Sequence, residues 1–175
     1  PRSTLFPYTT LFRSCYRETR QNELDAASCF VLAGNYYTEG KKFLEAAINY
    51  EDAAKSFEKI SKYKKAYEMY IKAGELAQRG KSYQPAIENL MWAYDMTRKE
   101  DLDSRRVLSL LIKSIAELGK IEEAADNHYV AATLYLEAAK YSSKRSEPDK
   151  EELDNFQNKE LMKYLSAAES KYEMK

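Results

Sequence analysis

Alanine recurs at a fixed interval through the first half of this chain, at 26, 46, 66 and 86 and again at 33, 53, 73 and 93. One large residue stands between the members of each pair: Phe30, Tyr50, Tyr70 and Leu90. A further aromatic leads three of the four units (Phe43, Tyr63, Tyr83). The spacing i, i+4, i+7 lines one face of an α-helix. Small–large–small on one face lets neighbouring helices approach at the alanines and interlock at the large residue. Each unit has room for about 15 helical residues and a turn, an ordinary helix length in a globular protein. The spacing therefore predicts an array of stacked helices, each burying its apolar face against its neighbours.

A period twice as long overlies the shorter one. Gly34 and Gly74 follow the second alanine in odd units, where Ala54 and Tyr94 stand in even ones. Gly40 and Gly80 fall where a left-handed residue would stop the odd helices. The predicted helices run from about Leu24 to Glu39, Phe43 to Ser61, Lys64 to Arg79 and, with Pro85 in its first turn, through Trp92 and Tyr94. Cys15 to Glu23 reads as a frayed tail. Trp92 is expected to pack between helices. A fifth helix, Leu102 to Leu118, keeps an apolar stripe but loses the alanines, with Gly119 as its end. In the sixth, which runs to about Ser143, Ala125, Tyr129 and Ala132 match Ala86, Leu90 and Ala93 at one residue short of two units. Residues 144–150 form a charged linker with Pro148 poised to start a last helix, 151–175, that caps the array or pairs with a partner.

Residues 1–14, PRSTLFPYTTLFRS, resemble a sequencing-library adapter when back-translated. They are excluded from fold reasoning, and the natural chain is expected to begin no earlier than Cys15. Setting them aside removes Arg2 and Arg13, leaving 26 basic against 28 acidic residues. That balance argues against a nucleic-acid footprint or an anionic-membrane surface. No apolar run approaches the roughly 18–20 residues that span a bilayer. Cys15 and Cys29 are the only cysteines, without metal or disulfide-scaffold spacing; a reduced, cytoplasmic protein is expected.

The residues carry no catalytic constellation, so the chain is not expected to be an enzyme. His128 is the sole histidine and has no ligand-spaced neighbours, so neither a metal nor a catalytic site is predicted. No phosphate-cradling glycine motif occurs and no cofactor is implied. Carboxylate pairs such as Glu122–Glu123 read as solvent-facing helix charges.

The patterns Phe30-x-x-Ala33-Gly34-x-x-Tyr37 and Phe43-x-x-Ala46-x-x-x-Tyr50-x-x-Ala53, repeated from Tyr70 to Ala93, resemble the tetratricopeptide signature. A strict tetratricopeptide repeat takes about 34 residues. The step from Gly34 to Gly74 is longer than that. Longer helix pairs with the same code are similar to the soluble NSF attachment protein (SNAP) family, over roughly Ala26 to Ala139. The resemblance implies an all-α, right-handed solenoid over 15–143. It implies an adaptor that coats a four-helix SNARE bundle and recruits an AAA+ ATPase, in intracellular protein transport, reaching membranes only through partners. Family SNARE contact uses basic residues, for which Lys41, Lys42, Lys62, Lys64, Lys65 and Lys81 are candidates. The alternative is a generic tetratricopeptide-type scaffold unrelated to SNAREs. Register from Gly34 and Gly74 places Asn35, Thr38, Glu39, Glu75, Gln78 and Arg79 toward a protein-binding groove. Only Asn35 and Arg79 suit the carboxylate clamp of chaperone-type repeats, and Glu39 and Glu75 would repel such a ligand.

Overall fold

Each helix of this protein turns back on the one before it. The computed structural model describes residues 6–145 and 154–159, with side chains from Glu18 onward. The order is α1 (Phe6–Glu39), α2 (Phe43–Lys59), α3 (Tyr63–Arg79), α4 (Tyr83–Glu100), α5 (Arg105–Ala124) and α6 (His128–Ser142). A short helical segment follows at 154–159. Sequential neighbours pack together, and no strand occurs among the described residues. The architecture is an α-solenoid of tetratricopeptide type.

The repeating alanines are the contact points. Ala46, Ala53, Ala66, Ala73, Ala86 and Ala93 are wholly buried, with Tyr50, Tyr70 and Leu90 between them. The glycines mark the closest approaches within each pair. A Cβ on Gly34 would stand 2.9 Å from the Tyr50 ring, one on Gly74 2.6 Å from Leu90, and one on Gly119 2.9 Å from the Tyr135 ring. All three contacts join residues at the same sequence separation, across a turn. Gly119 is therefore not the end of its helix, as its position after Leu118 suggests. It lies inside α5, where Tyr135 of α6 covers it.

That contact resets the register of the last pair. The counterparts of Ala86, Leu90 and Ala93 are Ala131, Tyr135 and Ala138, all fully buried. Ala125 sits in the α5–α6 turn and Tyr129 is 64 % exposed, so the apparent one-residue slip matches the wrong residues. The irregularity is an insertion, not a deletion, and it is spent on a longer α5 and on the connection before it.

Turn geometry keeps the same count. Lys41, Ser61, Lys81, Asp101 and Asp126 are left-handed, with φ between 50° and 59°. The first four are evenly spaced, and the step from Asp101 to Asp126 is longer. At Lys41 the N–H donates to Thr38 O and the next N–H, of Lys42, donates to Tyr37 O. The same pair of bonds recurs after Ser61, Lys81 and Asp126 and occupies carbonyls left open by each helix end. The left-handed residue is thus the one after Gly40 and Gly80; Gly80 itself has φ −78°. The space at Gly80 is steric, since a Cβ there would meet Phe43 Cβ at 3.3 Å.

α1 begins at Phe6 rather than near Leu24. No proline interrupts it after Pro7, which lies in the first turn where its missing N–H is harmless. The stretch before Leu24 is anchored at its far end: Arg20 reaches Ile60 O at 3.4 Å, and Glu23 pairs with Lys59 at 3.0 Å. The linker beyond residue 145 and most of the last helix lie outside the described residues. Within 154–159, Phe156 is buried and stacks on Tyr135 at 6.4 Å between centroids.

α2 and α3 are joined by a ladder of cation–ring contacts. Arg79 lies 4.5 Å from the Phe43 ring centroid, Lys72 5.3 Å from Tyr50, and Lys65 5.5 Å from Phe57. Each rung advances two turns on one helix and retreats two on the other, the signature of antiparallel packing. Trp92 packs as expected, 5.5 Å from the Tyr70 ring with Lys55 over its face.

Candidate protein-binding face

The odd-numbered helices α1, α3 and α5 share one side of the array, and their seams differ. α3 and α5 are closed together. Gln78 Nε2 donates to Leu110 O at 2.9 Å and to the buried Ser114 Oγ at 2.6 Å. Arg106 pairs with Glu75 at 2.5 Å, and Tyr67 Oη donates to Asp103 O at 3.2 Å.

At the α1–α3 seam those polar ties are replaced. One helix pair before Glu75 and Gln78 stand Asn35 and Thr38. Asn35 accepts a hydrogen bond from the Tyr50 phenol, and Thr38 Oγ1 donates back to Gly34 O at 2.7 Å. Opposite, the counterpart of Ser114 on α3 is Met69. The seam stays open as a cleft of about 430 Å³ lined by Ser28, Val31, Leu32, Phe57, Lys65, Glu68 and Met69. Leu32 is 68 % exposed at its lip.

A second cleft, about 410 Å³, adjoins it at the α2–α3 turn and shares Lys65 and Glu68 as walls. Its remaining lining is Lys62, Tyr63, Lys64 and Glu100. Among the described residues neither Lys62 nor Lys64 has a carboxylate partner within ion-pair distance. Lys41, Lys42 and Lys81 occupy turns at the opposite end of the helices.

The six residues assigned to the groove divide accordingly. Asn35 and Glu39 continue the α1 stripe of Ser28, Val31 and Leu32 by successive turns; Glu75 and Arg79 continue the α3 stripe of Lys65 and Glu68. Asn35, Glu39 and Arg79 are exposed. Glu75 and Gln78 tie α3 to α5, and Thr38 tightens its own helix. Arg79 also stacks on Phe43, so the six do not converge on one point.

No group of ligand-forming side chains that could hold a metal occurs among the described residues. His128 begins α6 with Nε2 3.8 Å from the Asp126 carboxylate. The largest shifts of proton affinity belong to two phenols inside the packing. Burial, reinforced by Glu58, pushes Tyr70 up, and burial with a 2.9 Å hydrogen bond to Glu123 does the same to Tyr135. Glu123 is therefore not a solvent-facing charge but the acceptor of a core tyrosine. No described helix is long and apolar enough to cross a membrane.

Compared with known proteins, the chain matches a family model described as "Soluble NSF attachment protein, SNAP" over residues 8–173, nearly its whole length. No curated protein matches it.

Proposed function

Because the chain belongs to the soluble NSF attachment protein family, we propose that it works as an adaptor in SNARE complex disassembly. The family is one of non-catalytic helical adaptors. In this reading the odd-helix face grips an assembled four-helix SNARE bundle in the cytoplasm and presents it to an AAA+ ATPase. The protein thereby serves vesicle and intracellular protein transport, and meets membranes through its partners.

The observation that carries this reading is the asymmetry of the two odd-helix seams. A row of helices closed at α3–α5 and open at α1–α3 offers a shaped, solvent-facing surface. The largest shifts of proton affinity among the described residues fall on phenols inside the packing, away from that surface. An adaptor needs such a surface, whereas an enzyme needs convergent groups of perturbed proton affinity. Asn35, Glu39 and Arg79, exposed on the α1 and α3 stripes, belong to the binding face in this reading, with Glu75 at its closed seam.

Co-sedimentation of the purified chain with an assembled SNARE bundle, followed by addition of an NSF-type ATPase, tests it. The bundle is expected to bind in preference to single SNARE helices and to be dismantled when ATP is supplied. Equal indifference to bundle and single helices would move the chain to the general tetratricopeptide-type scaffolds.

A further inference from the structure

We propose that the α1–α3 cleft takes an apolar side chain projecting from a helix of the partner, with a carboxylate of that same helix lying against Lys62 and Lys64. This inference rests on the adaptor reading and adds where, and by which chemistry, the partner helix is registered on the array.

Three observations lead to it. The first is the cleft's chemistry. Val31, Leu32, Phe57 and Met69 form an apolar recess in a face whose other seam is shut by hydrogen bonds and an ion pair. A recess of this kind accepts the knob of an amphipathic helix laid along the seam. The second is Leu32. The equivalent position on α3 is Lys72, which lies over the Tyr50 ring, whereas Leu32 stands exposed at the lip. The third is charge. Across the shared walls lies a cleft with three lysines against Glu68 and Glu100. Among the described residues none of the three forms an ion pair. Lys65 is held over the Phe57 ring, which leaves Lys62 and Lys64 to meet a ligand. The excess is positive, so a carboxylate suits it better than an ammonium group. Because the clefts share Lys65 and Glu68 along α3, one partner helix laid on that seam can present the apolar knob and the carboxylate on a single face.

The partner class is thus an acidic amphipathic helix within a bundle. A neutral apolar helix would fill the recess and leave the lysines unmatched. An acidic segment without the knob would depend on the lysines alone and weaken steeply with salt.

The test uses the whole chain and an assembled SNARE bundle as the probe, with binding measured at two salt concentrations. Leu32→Lys changes an exposed side chain, and an unchanged denaturant midpoint confirms that folding is intact. It is expected to weaken binding by about tenfold or more at both salt concentrations, as loss of an interface anchor does. The double variant Lys62→Glu, Lys64→Glu is expected to weaken binding at low salt and to flatten its salt dependence. A benzophenone side chain placed at position 32 should cross-link to an apolar surface position of the bundle. Wild-type binding that Leu32→Lys leaves unaltered overturns this inference alone. Failure of the wild-type chain to bind the bundle overturns the adaptor reading and this inference with it.

Discussion

Gly74 and Leu90 share a space that one more methyl group would overfill. A Cβ on Gly74 would stand 2.6 Å from Leu90 Cγ and 2.9 Å from a terminal carbon of the same side chain. Glycine inside a helix ordinarily lowers stability by about 0.5–1 kcal/mol relative to alanine. Here the sign should reverse. Gly74→Ala is expected to lower stability by about 1–3 kcal/mol through overpacking. Gly40→Ala, whose Cβ would meet nothing nearer than 3.6 Å, should be nearly neutral. Denaturant midpoints of the two variants check the contrast, and a stabilised Gly74→Ala would contradict it.

The wholly buried Ala53 and Ala73 make the same point from the other side. Replacing either with tryptophan is expected to cost about 1–3 kcal/mol or more, because neither site has space for a ring. Unchanged unfolding midpoints in both variants would refute the small-residue account of helix packing.

Arg79 over Phe43 is the tightest rung of the α2–α3 ladder. A double-mutant cycle of Arg79→Gln with Phe43→Leu isolates the pair, and its coupling energy is expected at about 0.5–1 kcal/mol. A coupling indistinguishable from zero would reduce the ladder to incidental proximity.

Ser61 holds φ 57° without being glycine. A left-handed backbone crowds a Cβ against the carbonyl, so Ser61→Gly removes strain while adding freedom to the unfolded chain. The net expectation is a gain of about 0.5–1 kcal/mol. It would be read as a higher unfolding midpoint, and Ser61→Ala should show no such gain.

Tyr70 and Tyr135 predict the alkaline limit of the fold. Burial, before their glutamate neighbours, holds both phenols above the ordinary tyrosine value of 10.0. Below about pH 10 the phenols are neutral in folded and unfolded chains alike, so stability is undiminished. Above it the unfolded chain releases protons that the folded chain retains, and stability falls as pH climbs toward the raised folded-state values. Unfolding midpoints from about pH 8 to 11 should drop at the upper end. Tyr70→Phe, although less stable at neutral pH, should show a shallower drop.

Much of the fold is legible in the sequence because its packing code is local and periodic. Alanine at every contact and one large residue between each pair specify which face each helix buries, and α2 to α4 follow that code residue for residue. The last pair misleads because Ala125 and Tyr129 imitate the spacing ahead of the true contacts, Ala131 and Tyr135. The steric partner of Gly119, Tyr135, together with the exposure of Tyr129, distinguishes the true register, and neither is visible in helical periodicity. The helix ends mislead for a related reason. Gly40 suggests a left-handed cap by composition, yet the turn places that conformation on Lys41, as it does on Ser61 and Asp126 where no glycine precedes. The groove residues are legible as stripes along α1 and α3. That Gln78 and Glu75 are committed to α5 depends on a helix further along the chain, whose register helical periodicity alone does not fix.

The three glycine contacts have a consequence for how the chain reaches this structure. Each closes a hairpin between adjacent helices, and the turn inside it is secured by its own backbone bonds. The principal locks are therefore short-range, and short-range contacts need little loop-closure entropy before they are rewarded. Hairpins of this kind can zip one after another as the polypeptide leaves the ribosome, each finished pair serving as the template on which the next one condenses.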